Sequence, residues 1–338
     1  MNDMKRTGSY YDLLEVSPRA RTEVIAAAYK ALMQIYHPDR TGGNDRVAKD
    51  LNEAHRVLLD PAQRATYDEQ RLNIIGTVIG GRYRVVEKIA EGGFGRTYKG
   101  EHTLTHKLVC IKQGHKVSPQ DEKILFEEAE AVWDLRHYGI PVVRDILKLD
   151  DGSPALITSY IPGKILEKIV DHIGRLESEH VAWIAERAIN VLKYLHYHGV
   201  VHGDVKPQNV IAQPEHQVVL VDYGLSAIRP TGGGSSKGYT PYFAPPEQVN
   251  GKALTPAADF YGLGMTLLYA LGGEESVASK RVPSQTPDPL CQFVKRLIVR
   301  NVLERPRWEK EDLCDTIKKV RQESFGRLHS NMKPIPGV

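Results

Sequence analysis

A short stretch near the middle of the chain combines three kinds of side chain that phosphoryl transfer to a hydroxyl requires. Residues 202–209 read His-Gly-Asp-Val-Lys-Pro-Gln-Asn, with a carboxylate at Asp204, an ammonium at Lys206 and an amide at Asn209. In such chemistry the carboxylate takes the hydroxyl proton, the lysine steadies the γ-phosphate, and an amide oxygen holds a metal ion. A second carboxylate, Asp222, follows 13 residues after Asn209 and begins the sequence Asp-Tyr-Gly. The spacing predicts a phosphoryl-transfer site on these two loops.

Apolar segments rich in valine frame both loops and predict the strands that carry them. Val200–Val201 precedes the first loop, Val210–Ile211 follows it, and residues 218–221 lead into Asp222. Upstream, residues 178–198 predict a long helix, because its apolar positions recur at the helical period. These positions are Val181, Ile184, Ala188, Leu192 and Leu195. We therefore expect this part of the chain to be mostly helical, with the two loops held between short strands.

Composition limits the class of protein. At 338 residues the chain exceeds one ordinary core and indicates two or more domains. Its 41% hydrophobic and 26% charged residues are typical of a soluble globular protein. A net charge of +3 argues against nucleic acid or a membrane surface as the main partner. Three widely spaced cysteines, with neither a signal peptide nor an apolar run of membrane-spanning length, favour a cytoplasmic location.

The first seventy residues contain two amphipathic helices joined by a polar turn. The first helix is predicted at 22–36, with Thr22 as its N-cap, and the second at 46–59. Helices of similar length with such a connection predict an antiparallel hairpin. The expected apolar faces consist of Val24, Ala28, Leu32 and Ile35 in the first helix and Val47, Leu51, Ala54 and Leu58 in the second.

The turn between these helices reads His37-Pro38-Asp39, and other characteristic short sequences surround it. These are Tyr10-Tyr11-Asp12-Leu13-Leu14, Ala28-Tyr29-Lys30, Asp60-Pro61 and Tyr67-Asp68. Together they resemble the J-domain, the part of DnaJ-type co-chaperones that stimulates ATP hydrolysis by DnaK-type chaperones. The resemblance covers about sixty residues. It implies that His37, Pro38 and Asp39 contact a DnaK-type chaperone.

The helix before this triplet departs from the family in its charge. J-domains usually present several basic residues there, whereas this helix has Ala26-Ala27-Ala28 at its middle and Lys30 as its one basic residue. Residues 1–70 carry 10 Lys and Arg against 11 Asp and Glu, so electrostatic steering toward an acidic chaperone should be weak. Three interpretations remain open: a specialised chaperone, docking through Arg19, Arg21 and apolar contacts, or a domain that has become a structural appendage.

A glycine-rich stretch opens the remainder of the chain. Residues 91–98 read Glu-Gly-Gly-Phe-Gly-Arg-Thr-Tyr, and glycines let main-chain N–H groups face phosphates. Val109-Cys110-Ile111-Lys112 and a Glu-rich amphipathic helix at 119–135 follow. With the two loops described first, this order resembles the protein kinase superfamily. The resemblance implies that ATP contacts Ile89, Gly92, Gly93, Phe94, Gly95, Thr97, Lys112, the gatekeeper Thr158, Ser159, Tyr160 and Ile161.

The same resemblance assigns roles in the transfer step. Asp204 corresponds to the catalytic base and Lys206 to the phosphate contact, while Asn209 and Asp222 correspond to ligands of Mg²⁺, with Mn²⁺ as an alternative. A lysine two residues after the catalytic aspartate is the pattern of serine/threonine kinases. Protein substrates with serine or threonine are therefore expected.

Lys112 should form an ion pair with a glutamate of the helix that follows it. Counting back from His137 by the family's usual interval selects Glu128 as this catalytic partner, and Glu127 and Glu130 are near alternatives. The remaining acidic residues of that helix are interpreted as a solvated face.

Later positions also match the kinase pattern. Thr240 and Glu247 lie in the segment that positions the substrate, and Thr240 is expected to contact Asp204 and Lys206. Asp259 corresponds to the residue that braces the catalytic loop, and Arg305 to the partner of Glu247.

Four positions depart from the kinase pattern: Ala90 replaces a glycine, Gly203 an arginine, Tyr223 a phenylalanine and Pro245 an alanine. None removes a group that binds metal, nucleotide or proton. We therefore expect an active kinase recruited through its J-domain, which phosphorylates the chaperone or its clients. The alternative is a non-catalytic co-chaperone adaptor whose kinase-like domain only binds nucleotide or a partner.

The expected fold class is multidomain, an all-α J-domain helical hairpin followed by a bilobal α+β kinase fold. The J-domain is assigned to 1–70, a short linker to 71–82, and the kinase domain to 83–320. Within the kinase domain, 83–158 form the N-lobe, 159–163 the hinge and 164–320 the C-lobe, and a tail spans 321–338.

Overall fold

The computed structural model describes residues 9–18, 20–37, 46–72, 74–92, 95–114, 119–150, 152–214, 216–228, 236–326 and 334–335, with main chain alone at 69–72 and 119–122. The chain divides into two compact units, Met1–Thr77 and Val78–Val338. Helices form the first unit, and a sheet followed by a mainly helical lobe forms the second. The predicted fold class is confirmed.

The described part of the first unit contains four helices, and the second and third match the two predicted from periodicity. Ser9 caps the first helix with a capping box to Asp12. The second and third helices pack against each other. The helices are α1 (Tyr10–Leu13), α2 (Thr22–Tyr36), α3 (Arg46–Leu59) and α4 (Pro61–Leu72).

The face that α2 turns to its core differs from the predicted one. Ile25 is fully buried, whereas Val24 is 49% exposed and Ile35 is 61% exposed. Tyr29, Leu32 and Met33 pack on the same core as Ile25, together with Leu51, Ala54 and Leu58 of α3. The larger side chains on the Ile25 side therefore set the rotation of this helix. The cap residue is Arg21, where the sequence predicted Thr22, and its side chain makes no capping hydrogen bond.

The separated sequence matches at both ends of this unit meet in space. The Tyr10 and Tyr67 rings stack with centroids 4.4 Å apart, and the Tyr67 hydroxyl accepts a hydrogen bond from the Tyr10 N–H at 2.7 Å. The Tyr11 hydroxyl donates to Asp68 Oδ1 at 2.9 Å and accepts from Arg64 Nε at 2.9 Å. These contacts join α4 to α1.

The second unit begins with an antiparallel sheet whose strand order is β1-β2-β3-β4-β6-β5. One helix, α5, follows β4 and packs on β4, β5 and β6. The elements are β1 (Val78–Ile79), β2 (Tyr83–Gly92), β3 (Gly95–His102), β4 (Leu108–Gly114), α5 (Pro119–Val132), β5 (Val143–Lys148) and β6 (Pro154–Ser159).

The larger lobe is built around α7, whose five predicted core positions are all fully buried. Short strands carry the candidate loops, in the orders β10-β9-β7 and β11-β8. The elements are β7 (Lys164–Ile165), α6 (Leu166–Ile173), α7 (Ser178–Tyr197), β8 (Val200–Val201), β9 (Val210–Ala212), β10 (Val218–Leu220), β11 (Ala227–Ile228), α8 (Pro246–Val249), α9 (Pro256–Ser279), α10 (Asp288–Leu297) and α11 (Leu313–Phe325).

Secondary structure enters the segment assigned to the linker. Helix α4 extends to Leu72, and β1 pairs with β2 through Val78 and Ile79. Helix α11 continues to Phe325, beyond the end assigned to the kinase domain. Across the described ranges, the structure contains no helix that is both long and apolar enough to span a lipid bilayer.

Candidate active site

The carboxylate of Asp204 lies at the centre of a hydrogen-bonded group. Its Oδ1 accepts from Thr240 Oγ1 at 2.6 Å, and its Oδ2 is 2.7 Å from Lys206 Nζ and 3.0 Å from Asn209 Nδ2. Lys206 Nζ also donates to Thr240 Oγ1 at 2.9 Å. A carboxylate accepts about four hydrogen bonds, two at each oxygen. The remaining acceptor position is therefore on Oδ1, which leaves one direction for a substrate hydroxyl.

A buried aspartate of α9 holds the main chain just before Asp204. Asp259 is 1% exposed, and its two oxygens accept hydrogen bonds from the N–H groups of His202 at 2.8 Å and Gly203 at 2.7 Å. Asp259 thus holds the main chain at residues 202 and 203, which directly precede Asp204.

Asp259 is itself held by a second layer of side chains. His196 Nε2 lies 2.7 Å from Asp259 Oδ2, and Trp308 Nε1 donates to His196 Nδ1 at 2.9 Å. Because an indole N–H can only donate, Nδ1 must be the acceptor and Nε2 must carry the proton. The tautomer of His196 is therefore fixed so that it donates to Asp259.

A second cluster joins β4, α5 and the loop after β10. Lys112 Nζ is 2.6 Å from Glu128 Oε2 and 2.7 Å from Asp222 Oδ1. Glu127, one of the two alternatives to Glu128, instead forms an ion pair with Lys237 at 2.7 Å. Glu128 Oε1 also accepts from the Tyr223 N–H at 3.3 Å, so this carboxylate contacts both sides of the cluster.

The charges in this cluster set the protonation of its members. Burial raises the pKa of Glu128, and Asp222 adds to this while Lys112 opposes it. Burial alone would lower the pKa of Lys112, but the charges of Glu128 and Asp222 outweigh it and raise that pKa. Burial opposes the ionisation of Asp222, yet the ammonium of Lys112 lowers the pKa of this carboxyl below its ordinary value. Lys112 is thus held as a cation and Asp222 as an anion.

Asn209 and Asp222 offer oxygen atoms suited to a hard cation. Asn209 Nδ2 donates to the main-chain oxygen of Asp204 at 2.9 Å as well as to its side chain, so Oδ1 lies on the opposite side of the amide. The Asp222 side chain is 37% exposed and in contact with Lys112 through Oδ1 alone. Mg²⁺ commonly takes one or two protein oxygens together with substrate phosphates. This donor set fits Mg²⁺.

The described residues assigned to nucleotide binding lie on β2, β3, β4 and β6 or directly after β6. Thr97 is opposite Lys112 across β3 and β4, and Thr158 is opposite Cys110 across β6 and β4. Gly95 has φ +147°, and a Cβ there would lie 2.0 Å from the Gln113 main-chain oxygen, so only glycine fits. Ile89 and Gly92 lie at the exposed end of β2, whereas Gly93 and Phe94 are outside the described residues.

In the segment after Thr158, the N–H and the hydroxyl of Ser159 are bonded to Val142. The Ser159 N–H donates to the Val142 oxygen at 2.8 Å, and Ser159 Oγ accepts from the Val142 N–H at 2.9 Å. Tyr160 and Ile161 follow at half-buried positions. A nucleobase would therefore be met by the main chain of these two residues and not by the Ser159 N–H.

Both carboxylate oxygens of Glu247 accept hydrogen bonds from one arginine. Arg305, 2% exposed, donates through Nη1 and Nη2 to the two Glu247 oxygens at 2.6 and 2.7 Å. This two-point pair fixes the start of α8. Each Glu247 oxygen is therefore bonded to the guanidinium of Arg305.

Of the residues assigned to chaperone contact, His37 lies exposed directly after the end of α2. Pro38 and Asp39 lie outside the described residues, as do Arg19 and the stretch 229–235.

Sequence reasoning did not single out Gln248 or Lys237. Gln248 is 2% exposed and donates to the main chain of two other loops. Lys237 reaches α5 across more than a hundred residues of sequence. Neither a single glutamine nor a single lysine has a spacing that reveals such contacts. Adjacency to Glu247 was the one available signal for Gln248.

Comparison with known proteins gives two family matches. A protein kinase domain model matches residues 83–326, and a DnaJ domain model matches residues 9–68. Serine/threonine-protein kinase F of Synechocystis is 31% identical over 222 residues, which cover 58% of this chain and 45% of the relative. Serine/threonine-protein kinase PknA of Mycobacterium tuberculosis is 28% identical over 254 residues, covering 69% of this chain and 59% of the relative.

These relatives are longer than the region they share with this chain. A probable serine/threonine-protein kinase of Clostridium perfringens is 26% identical over 277 residues, which cover 74% of this chain and 40% of that protein. The chain thus spans about half the length of the curated relatives it matches. The kinase model covers more than half of the chain. The chain therefore belongs to the protein kinase family and carries a DnaJ domain before its kinase domain.

Proposed function

We propose that this chain is an ATP- and Mg²⁺-dependent protein kinase that phosphorylates serine or threonine. The observation that carries the proposal is the group around Asp204, in which Thr240 and Lys206 hold the carboxylate with one acceptor position open. The ion pair between Lys112 and Glu128, with Asp222 beside it, supports the same conclusion. Both features are required together for phosphoryl transfer in kinases.

The geometry supports a direct transfer. The substrate hydroxyl donates to Asp204 Oδ1, its oxygen forms a bond to the γ-phosphorus, and the bond from that phosphorus to the β,γ-bridging oxygen breaks. The proton passes to Asp204 and ADP leaves. Lys206, 2.7 Å from Asp204 Oδ2, places a positive charge beside the transferred group.

Lys112 would contact the α- and β-phosphates, and Tyr160 and Ile161 would bind the base. Asn209 and Asp222 would hold Mg²⁺, which when bound neutralises charge on the β- and γ-phosphates. Burial opposes the ionisation of Asp222, but Lys112 lowers the pKa of this carboxyl below its ordinary value. An ionised carboxylate is suited to holding a cation. Mn²⁺ prefers the same oxygen ligands and is the alternative ion.

The DnaJ domain would recruit a DnaK-type chaperone in the cytoplasm through His37, Pro38 and Asp39. The chaperone or its bound clients would then be the protein substrates. The support for this part is the DnaJ match over 9–68 and the exposure of His37.

The test is transfer of labelled γ-phosphate to a generic basic protein, comparing the wild type with Asp204→Asn. This substitution keeps the shape of the side chain but removes its basicity. We expect turnover to fall at least ~10²-fold, the usual scale for a positioned base, with nucleotide affinity nearly unchanged. Asp134→Asn, at an exposed position, is the matched control. If the wild type binds nucleotide and transfers nothing, the chain is a non-catalytic adaptor.

A further inference from the structure

A buried glutamine joins the loop 202–209, here called the catalytic loop, to the segment 236–240, which ends at Thr240. Gln248 Nε2 donates to the Gly203 oxygen at 2.8 Å and to the Gly238 oxygen at 3.0 Å. An amide nitrogen has two hydrogens, and both are used here. The glutamine therefore links two main-chain segments, one directly before Asp204 and the other shortly before Thr240.

The main chain at Gly203 is shaped for this contact. Its φ of +75° lies in the left-handed region, and a Cβ there would lie 2.7 Å from the Leu225 oxygen and 2.8 Å from Leu254 Cδ1. With the Gly203 N–H bonded to Asp259 and its oxygen bonded to Gln248, both polar groups of this peptide position are satisfied. A side chain here would be strained by this φ and would require the Leu225 peptide to shift.

The segment 236–240 has further fixed points beside Gln248. Ser236 Oγ donates to the Gln248 main-chain oxygen at 3.1 Å, and Lys237 forms its ion pair with Glu127 of α5. Thr240 then contacts Asp204 and Lys206. These contacts join the segment to Gln248, to α5 and to the loop that carries Asp204.

We propose that Gln248 is a positioning residue for phosphoryl transfer, which holds the segment 236–240 against the loop that carries Asp204. The proposal rests on the proposed kinase function and adds a residue to it. Glu247, fixed by Arg305, anchors the backbone from which Gln248 reaches both carbonyls. Loss of the two donors leaves two main-chain acceptors without their partner and frees Thr240 to move from Asp204.

The experiment is a graded series at position 248 in the full chain. Gln248→Asn keeps the amide but is one methylene shorter, Gln248→Met keeps the length without donors, and Gln248→Glu presents oxygens to two carbonyls. We expect kcat on the generic basic protein to fall by about 3-fold, 10-fold and more than 10-fold in that order, because bond loss and then repulsion act on the same two carbonyls. Directly measured ATP affinity should stay within about 2-fold, because the contacts of Gln248 do not involve the nucleotide residues.

Gln292→Met, at an exposed position of α10, is the matched control and should leave kcat unchanged. Wild-type kcat in both the Asn and the Met variants would overturn the proposal, as would equal losses of kcat and ATP affinity, which indicate general damage to the fold. Should Gln248→Met not fold, the milder Asn variant still decides the question by the split between kcat and ATP affinity. An inactive wild type would instead refute the kinase function, so the two failures are distinguishable.

Discussion

Two adjacent glutamates of α5 form ion pairs that differ in burial, and burial determines how much the loss of such a pair costs in free energy. The Glu128 side chain is 7% exposed and pairs with Lys112, which is 15% exposed. The Glu127 side chain is 30% exposed and pairs with Lys237, which is 31% exposed. Breaking a buried pair leaves a charge that water cannot reach, whereas an exposed pair is replaced by hydration. The two carboxylates should therefore differ in effect although they are neighbours in sequence.

We expect Glu128→Gln to lower kcat/KM for ATP by at least ~10-fold, since a buried ammonium loses one of its two counter-charges. Glu127→Gln should lower it by less than ~5-fold, because exposed pairs contribute at most about 1 kcal/mol. Steady-state kinetics with varied ATP measure both variants, each serving as the control for the other. An equal loss of kcat/KM in both variants would contradict the prediction that the buried pair contributes more than the exposed one.

The limits of sequence reasoning at this scale are physical. Spacing ranked Glu128 first, but it could not reject Glu127 or Glu130, because all three lie within one turn of the same helix. The orientation of α5 on the sheet makes the choice. Gln248 was out of reach for a similar reason, since its contact with Gly203 joins residues 45 positions apart.

At the scale of elements, the sequence predicted where helices begin and end better than it predicted which helix face is buried. Helix α7 shows a strong apolar stripe, and its five predicted core residues are buried. Helix α2 has apolar or alanine residues around most of its circumference, so its pattern did not define one face. Contacts with α3 settled the rotation, which buries Ile25 and exposes Val24 and Ile35.

The loop from Leu225 to Thr240 gives a prediction at this scale. Joint replacement of Thr231, Ser235 and Ser236 by alanine should change specific activity by less than ~3-fold, which corresponds to a fraction of a kcal/mol. The reason is that Gly203 offers no cation to a phosphate on this loop. Ser236 loses a neutral hydrogen bond to Gln248, but the donors of Gln248 itself remain. Thr231 and Ser235 lie outside the described residues, so the prediction rests on Gly203 and Gln248.

Phosphotransfer to the generic basic protein measures this variant against the wild type. A loss of ~10²-fold that acidic replacements at the same three positions restore would show control by a loop phosphate, and would contradict the prediction.

On the scale of the whole molecule, the residues assigned to chaperone contact and to phosphoryl transfer belong to different units. His37 belongs to Met1–Thr77, whereas Lys112, Asp204 and Asp222 belong to Val78–Val338. Both family assignments were predictable because each depends on many short motifs in a fixed order. The partner was less predictable, because Lys30 is the one basic residue of α2, whereas J-domains usually present several basic residues in this helix.

His37→Gln should abolish stimulation of a DnaK-type ATPase and leave kinase activity on a soluble generic substrate unchanged, since His37 is not part of the candidate active site. The measurements are chaperone ATP hydrolysis and phosphotransfer on the same preparation. Lys30→Gln, which removes the one basic side chain of α2, is the companion variant for the electrostatic contribution. Loss of kinase activity in a folded His37→Gln protein would favour a J-domain that regulates its neighbour directly.

Gly203 also has a consequence for how this chain could change over evolutionary time. A single substitution to arginine would seem the shortest route to a kinase that is switched by phosphorylation of its own loop. That route is obstructed here, because a side chain would be strained at the left-handed φ and its Cβ would lie 2.7 Å from the Leu225 oxygen. An arginine becomes tolerable only after the Leu225 peptide has shifted away from the new Cβ. Descendants of this sequence would therefore have to change the backbone near Leu225 before, or together with, position 203 to gain such a switch.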